Sequence, residues 1–195
     1  MNRDDILALV VETVRRPADA ARRIIGWRIE SSLLWMGFAL TVVLNTLLFH
    51  VSSLVYPASP GGLSVPVLFS SPFLYALFMG LGLLLMTLVL SRVGNWLGGH
   101  GQFQDVLALL VWLQFLRLAA QLAVLVLVLL LPPFAALVTL AIGLLSLWIL
   151  LNFIKAAHGF ASLGRSFATL ILAILGISVG LSVLLSLFGF SAGMT

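Results

Sequence analysis

The sequence predicts an all-α fold: a polytopic membrane protein with five transmembrane helices preceded by a cytoplasmic amphipathic helical segment. Three observations carry this expectation. Of the 195 residues, 62% are apolar and only 8% are charged, against roughly half and a quarter in a soluble domain. No Asp, Glu, Lys or Arg occurs between Glu30 and Arg92. Once spans are drawn, nine of the ten Lys and Arg fall on one side, the distribution expected when basic residues are retained in the cytoplasm during insertion.

Residues 1–30 form the first unit. Ile6, Val10 and Val14, with Leu7 and Val11 offset, recur at three- and four-residue intervals, while Asp4, Asp5, Glu12, Arg15 and Arg16 lie elsewhere on the wheel, as in an amphipathic helix. Acids at its start and arginines at its end suit the helix dipole. Pro17 fits the first turn of a second short helix, and Gly26 is placed to end it. Two readings stand side by side. The helix lies in the cytoplasmic leaflet, with Arg15, Arg16, Arg22 and Arg23 toward phosphates and Trp27 at the interface, or it packs under the bundle as a structural foot.

Residues 31–195 form the second unit. A hydrocarbon core about 30 Å thick needs about 20 apolar helical residues, and residues 32–56, 72–90, 106–131, 134–154 and 167–190 each supply them. Each is read as helical because an open strand leaves its backbone unsatisfied in lipid. The connection from Pro57 to Ser71 is uncharged, Pro132-Pro133 is a minimal turn, and Ser191 to Thr195 carries no side-chain charge. Arg3, Arg15, Arg16, Arg22, Arg23, Arg28, Arg92, Lys155 and Arg165 flank the other ends. The N-terminus is therefore expected in the cytoplasm and the C-terminus outside. The first apolar run begins only after residue 30, so a cleaved signal peptide is not expected. Nine of the ten basic residues are Arg, a composition that points to a GC-rich genome and a bacterial inner membrane.

Polar residues at membrane depth are costly and often functional. Arg117 is the tenth basic residue and the one inside a span; Gln114 and Gln121 share its helix face, and Asn45 is an amide at comparable depth. All six acids, at positions 4, 5, 12, 19, 30 and 105, lie away from it. Arg117 is read either as snorkelling or holding helices together, or as binding an anionic lipid or solute. Thr41 and Asn45, four apart, suggest interhelical hydrogen bonds. Gly176 and Gly180, with Ser178 and Ser182 beside them, form a small-residue stripe read as helix packing.

Chemistry that needs more than this is not expected. Cysteine is absent, which removes thiolate metal sites and cysteine nucleophiles. His100 and His158 have no paired metal-ligand spacing, so no metal site or cofactor is called for. Gly176 to Gly180 matches G-x-S-x-G without the strand-turn-helix setting or base that the motif requires, and no catalytic residue is assigned. Gly94 to Gly101 lacks the G-K-[ST] of a phosphate loop and reads as a flexible turn. The charge of +4 flanks apolar spans, so anionic lipid and not nucleic acid is its expected counterpart.

The string RRPADAARRI, an inner-loop pattern G-G-x-G-x-F-x-x-x-L (Gly98, Gly99, Gly101, Phe103, Leu107) and a fourth span running LWILLNFIKAAHGFASLGRSFA through Trp148, Lys155 and His158 resemble the Yip family of Ypt/Rab-interacting membrane proteins, in its short bacterial form. That resemblance implies a five-span domain with a cytoplasmic N-terminus. In eukaryotic members it implies binding of Rab-type GTPases and roles in trafficking or membrane shaping. The long cytoplasmic domain of those members has no counterpart in these residues, and Val106 to Leu131 lacks the Pro expected to kink its helix. The favoured function is a non-enzymatic membrane organiser or scaffold recruiting partner proteins, a second copy or anionic lipid from the cytoplasmic side. A small transporter or channel subunit using the polar face around Arg117 is the alternative, and an intramembrane enzyme ranks third.

Overall fold

The computed structural model describes residues 3–55 and 71–187. Among these residues there are seven helices and no strand: α1 (Arg3–Arg15), α2 (Pro17–Gly26), α3 (Ser31–Val55), α4 (Pro72–Trp96), α5 (Phe103–Leu130), α6 (Pro132–His158) and α7 (Leu163–Leu187). Helices α3 to α7 are long and apolar enough to cross a membrane. The expected uncharged connection lies outside the described residues except for Ser71, as do the tail from Ser191 to Thr195 and the last three residues of the expected fifth span.

The helices outrun the apolar spans. α4 continues to Trp96, α5 begins at Phe103, α6 runs from Pro132 to His158, and α7 begins at Leu163. Hydropathy finds the stretch that lipid covers, whereas a helix ends where its last carbonyls find other donors. For α4 and α6 those donors come from glycine turns: Gly98 has φ 87° and Gly159 has φ 68°. Gly99 N donates to Gly94 O at 2.9 Å and Gly98 N to Asn95 O at 3.0 Å; Phe160 N donates to Lys155 O at 3.0 Å and Gly159 N to Ala156 O at 3.4 Å. Both are Schellman closures, which need a left-handed residue and so favour glycine. After α2 the chain does something different. Gly26 is the last helical residue, but the left-handed position is Arg28, at φ 44°.

α3 packs on α4 and α5, α4 also on α5 and α7, and α6 on α5 and α7, closing an antiparallel five-helix bundle. One end gathers the starts of α3, α5 and α7 with the ends of α4 and α6. Gln104 Nε2 donates to Ser31 Oγ there at 2.8 Å. Arg92, Lys155, Arg165 and the basic residues of α1 and α2 belong to this basic end. The core beneath it is apolar, with Leu107, Leu109, Phe153 and Ile154 buried. Outward-facing residues are equally apolar: Leu137 is 65% exposed, Met36 64% and Leu129 63%, which is the surface a bilayer covers and water would not tolerate.

Most of the hydroxyls and amides in the spans are satisfied within their own helix. Thr41 Oγ1 donates to Phe38 O at 2.7 Å, Asn45 Nδ2 to Thr41 O at 2.8 Å, Thr87 Oγ1 to Leu83 O at 2.7 Å and Asn152 Nδ2 to Trp148 O at 2.9 Å. The interhelical bonds expected of Thr41 and Asn45 are not formed, because a carbonyl one turn back is always within reach. Helix α5 runs without interruption through the region where a kinking Pro was expected. Among the described residues the stripe on α7 does not meet another helix either. Gly176 and Gly180 would accept a Cβ with nothing within 4 Å, and Ser178 and Ser182 are exposed. Among the described residues, α7 packs instead through Ser166, Thr169, Leu170 and Ala173.

Candidate functional site

Two places in the bundle combine polar and apolar groups in ways that packing alone does not require. The first is the foot at the basic end. α2 seats on α5 and α6, and α1 on α2 and α6. Leu9, Ala20 and Ala21 are fully buried and Ile24 nearly so, joining the core of Leu107, Leu109 and Phe153. Thr13 is the polar pin: its Oγ1 donates to Leu9 O at 2.7 Å and accepts from Trp112 Nε1 on α5 at 3.1 Å. Helices α1 and α2 are tied to each other by Arg23 Nη1 and Glu12 Oε2 at 3.0 Å.

The buried face of α1 is therefore Leu9 and Thr13, not the Ile6, Val10 and Val14 face expected from periodicity. Ile6, Leu7, Val11 and Val14 remain exposed, Leu7 at 63%. Asp4, Asp5, Glu12 and Arg15 occupy the third side of the wheel. Helix α1 thus has three sectors, one on protein, one apolar and unpartnered, one charged. Arg22 pairs with Asp19 and Arg23 with Glu12, while Arg15, Arg16 and Arg28 are exposed and make no ion pair among the described residues. Trp27 is 40% exposed at the end of α2.

The second place is a cavity of about 610 Å³ in the half of the bundle away from the foot. Its deepest lining residues are Leu113 and Leu150, and its outermost are Ser52, Tyr75, Val128 and Thr139. On α5 the lining positions Leu113, Arg117, Gln121, Val124 and Val128 recur every three or four residues, opposite the exposed Leu122, Val126 and Leu129. The same opposition holds on α3, where Asn45, Leu48, Phe49 and Ser52 line it and Val43, Leu47 and Leu54 face outward. The cavity lies between the helices and is partly open, with Arg117, Gln121, Thr139, Gly143 and Leu147 exposed along it.

Arg117 sits 13 residues before Leu130, about 20 Å along α5 at 1.5 Å per residue. The structure brings it together with Gln121 and Asn45, and with Tyr75, which sequence reasoning had not included; Gln114 is not among the lining residues. Arg117 is exposed and lines this space together with Gln121. Tyr75 was missed because it lies far from Arg117 in sequence and begins a different helix. Phe49 stacks on its ring at a centroid distance of 4.2 Å.

A third feature unites two motifs that were read apart. The His158 ring, 1% exposed, lies among Gly94, Gly99 and Gly101: a Cβ on Gly94 would overlap Nε2, and one on Gly101 would stand 2.7 Å from it. His158 Nδ1 lies 3.1 Å from Ile154 O, an acceptor only, so Nδ1 is the donor in that contact. Phe160 stacks on the ring at 5.3 Å, and His100 N donates to His158 O at 3.2 Å. The glycine segment read as a flexible turn is a fitted cradle, in which each missing Cβ is the space the imidazole occupies.

Fold and sites together define a multi-pass helical membrane protein in which Gly94, Gly99 and Gly101 surround one buried histidine. A family model for the Yip1 domain matches residues 11–184, and the chain belongs to that family. No curated protein and no solved structure gives a match to the chain.

Proposed function

We propose that this protein is a non-enzymatic organiser of a bacterial inner membrane, holding an amphipathic helix in the cytoplasmic leaflet and gathering anionic lipid, and through it partner proteins, at the basic end. The observation that carries this reading is the three-sector α1. A helix that merely packed would bury its largest apolar face, and one that merely floated would not be pinned by Leu9, Thr13 and Trp112. Here the exposed Leu7 and Val11 lie beside unpaired Arg15 and Arg16, an arrangement suited to acyl chains below and phosphates above. Membership of the Yip1-domain family supports a membrane-shaping or recruiting role by resemblance. The transporter alternative draws on the cavity, but Leu113 and Leu150 close its floor above the apolar core of the basic end.

The chain has no cysteine, so single spin labels report without background. In nanodiscs containing anionic lipid, a label at Val11→Cys should be accessible to oxygen and shielded from a polar nickel reagent, with Ala8→Cys showing the reverse. Equal exposure of both to the nickel reagent would remove the leaflet-embedded foot. Arg15→Glu with Arg16→Glu should lower co-purifying anionic phospholipid at least twofold.

A further inference from the structure

The cavity lies at the opposite end from the foot, and the proposed organiser role makes no use of it. Its charge is unbalanced. Arg117 brings a guanidinium to it, and none of the six acids of the chain lines the space. Among the described residues neither its guanidinium nor the Gln121 amide one turn away makes a hydrogen bond or ion pair. A lone cation at that depth is costly unless something compensates it. The rest of the lining is mostly apolar, with Val124, Leu125, Val128, Ile142 and Leu147 along α5 and α6, and Asn45, Ser52, Thr139 and Ser146 placed among such residues. The volume falls within the ordinary range of small-molecule sites, about 300–1,000 Å³. Gly143 presents bare backbone to the space, with nothing within 4 Å of an added Cβ.

We propose that this cavity is a receptor site for a single-chain amphipathic anion, a carboxylate or phosphate monoester on one apolar body, with its head held by Arg117 and Gln121 and its body lying along the α5 and α6 walls. One fixed cation selects one anionic head and disfavours polyanions, which would bring charge that nothing neutralises. Cations meet Arg117 with like charge. Neutral amphiphiles fill the walls but leave the guanidinium uncompensated. The guanidinium fork offers two parallel N–H donors to two oxygens of one head, the geometry in which arginine recognises carboxylate and phosphate, and the Gln121 amide one turn away offers a further donor.

The test uses the full chain in nanodiscs of neutral phosphatidylcholine, with native mass spectrometry and calorimetry as readouts. The probes are dodecanoate, dodecyl phosphate, dodecanol, inorganic phosphate and a two-chain phosphatidate. Dodecanoate and dodecyl phosphate should each bind one per chain, at least tenfold more tightly than dodecanol. Arg117→Met should abolish that preference. Gly143→Leu, which fills the cavity and leaves Arg117 in place, should weaken both anions at least tenfold with the melting temperature unchanged. Equal binding of dodecanol, or native affinity in well-folded Gly143→Leu, overturns the proposal. Binding of inorganic phosphate as tight as dodecyl phosphate also overturns it by assigning the site to small anions, and phosphatidate binding as tightly as dodecyl phosphate does so by assigning it to membrane phospholipid.

Discussion

At the scale of single residues, His158 explains more of the chain than any other side chain. Its ring fills the volume left by three glycines, and Nε2 has no hydrogen-bond partner among the described residues. A Cβ at Gly94 overlaps that ring, so Gly94→Ala should destabilise the protein by about 1–3 kcal/mol, as overpacking does. In a His158→Ala background the same change should cost less than about 0.5 kcal/mol, since the clash has no partner. Denaturation of the four variants in mild detergent checks this, and equal losses in both backgrounds would break the link between histidine and glycines. Little of this was readable from the sequence. His158 and Gly94 are remote along the chain, and glycine in a loop is compatible both with freedom and with close approach. Arg117 was more legible, because a lone charge among apolar residues announces itself; the Tyr75 that joins it did not, because an aromatic near a helix start is ordinary.

At the scale of elements, the apolar spans were found from composition, while helix ends and faces were not. Hydropathy gave the start of α4 but stopped short of Trp96, because Arg92 looks like a boundary although the helix runs on through it. The face of α1 was misassigned for a related reason. Periodicity locates an apolar arc, yet both lipid and protein reward an apolar arc, and here protein takes the narrow strip of Leu9 and Thr13 while the broad arc stays exposed. The same ambiguity left Gly176 and Gly180 read as a contact that α7 does not make among the described residues. Leu9→Ala should cost about 2–5 kcal/mol locally, the range for a buried Leu. Its expected signature is faster hydrogen exchange across α1 and α2 with α5 and α6 unchanged, whereas Leu7→Ala should leave exchange in every helix as it was. Uniform loosening of the bundle by Leu9→Ala would mean that the foot is part of one cooperative core.

At the scale of the whole molecule, the basic end and its opposite end differ in every respect that bears on insertion. All described Lys and Arg outside Arg117 lie at the basic end, so that end is expected to face the cytoplasm. Trp96, 82% exposed, and Leu131, 51% exposed, mark the two ends. With single cysteines at these positions, a membrane-impermeant maleimide added to intact cells should label Leu131→Cys and spare Trp96→Cys until the cells are opened. The reverse pattern would invert the topology and with it the side from which α1 meets lipid.

The junction between α5 and α6 bears on how the molecule is made. Leu131 is the end cap of one helix and the start cap of the next, and Pro132 and Pro133 follow at once. A proline in the first turn forfeits no intrahelical hydrogen bond, so the reversal is complete within a single residue. Loop closure costs more entropy as the connection lengthens, and between α3 and α4 the chain must cross from Val55 to Pro72. The α5–α6 hairpin therefore has the least to lose by pairing early. It is expected to pair first during biosynthesis, and a long flexible linker inserted after Leu131 should slow assembly, followed as the rate of gaining protease resistance, while changing the finished bundle little.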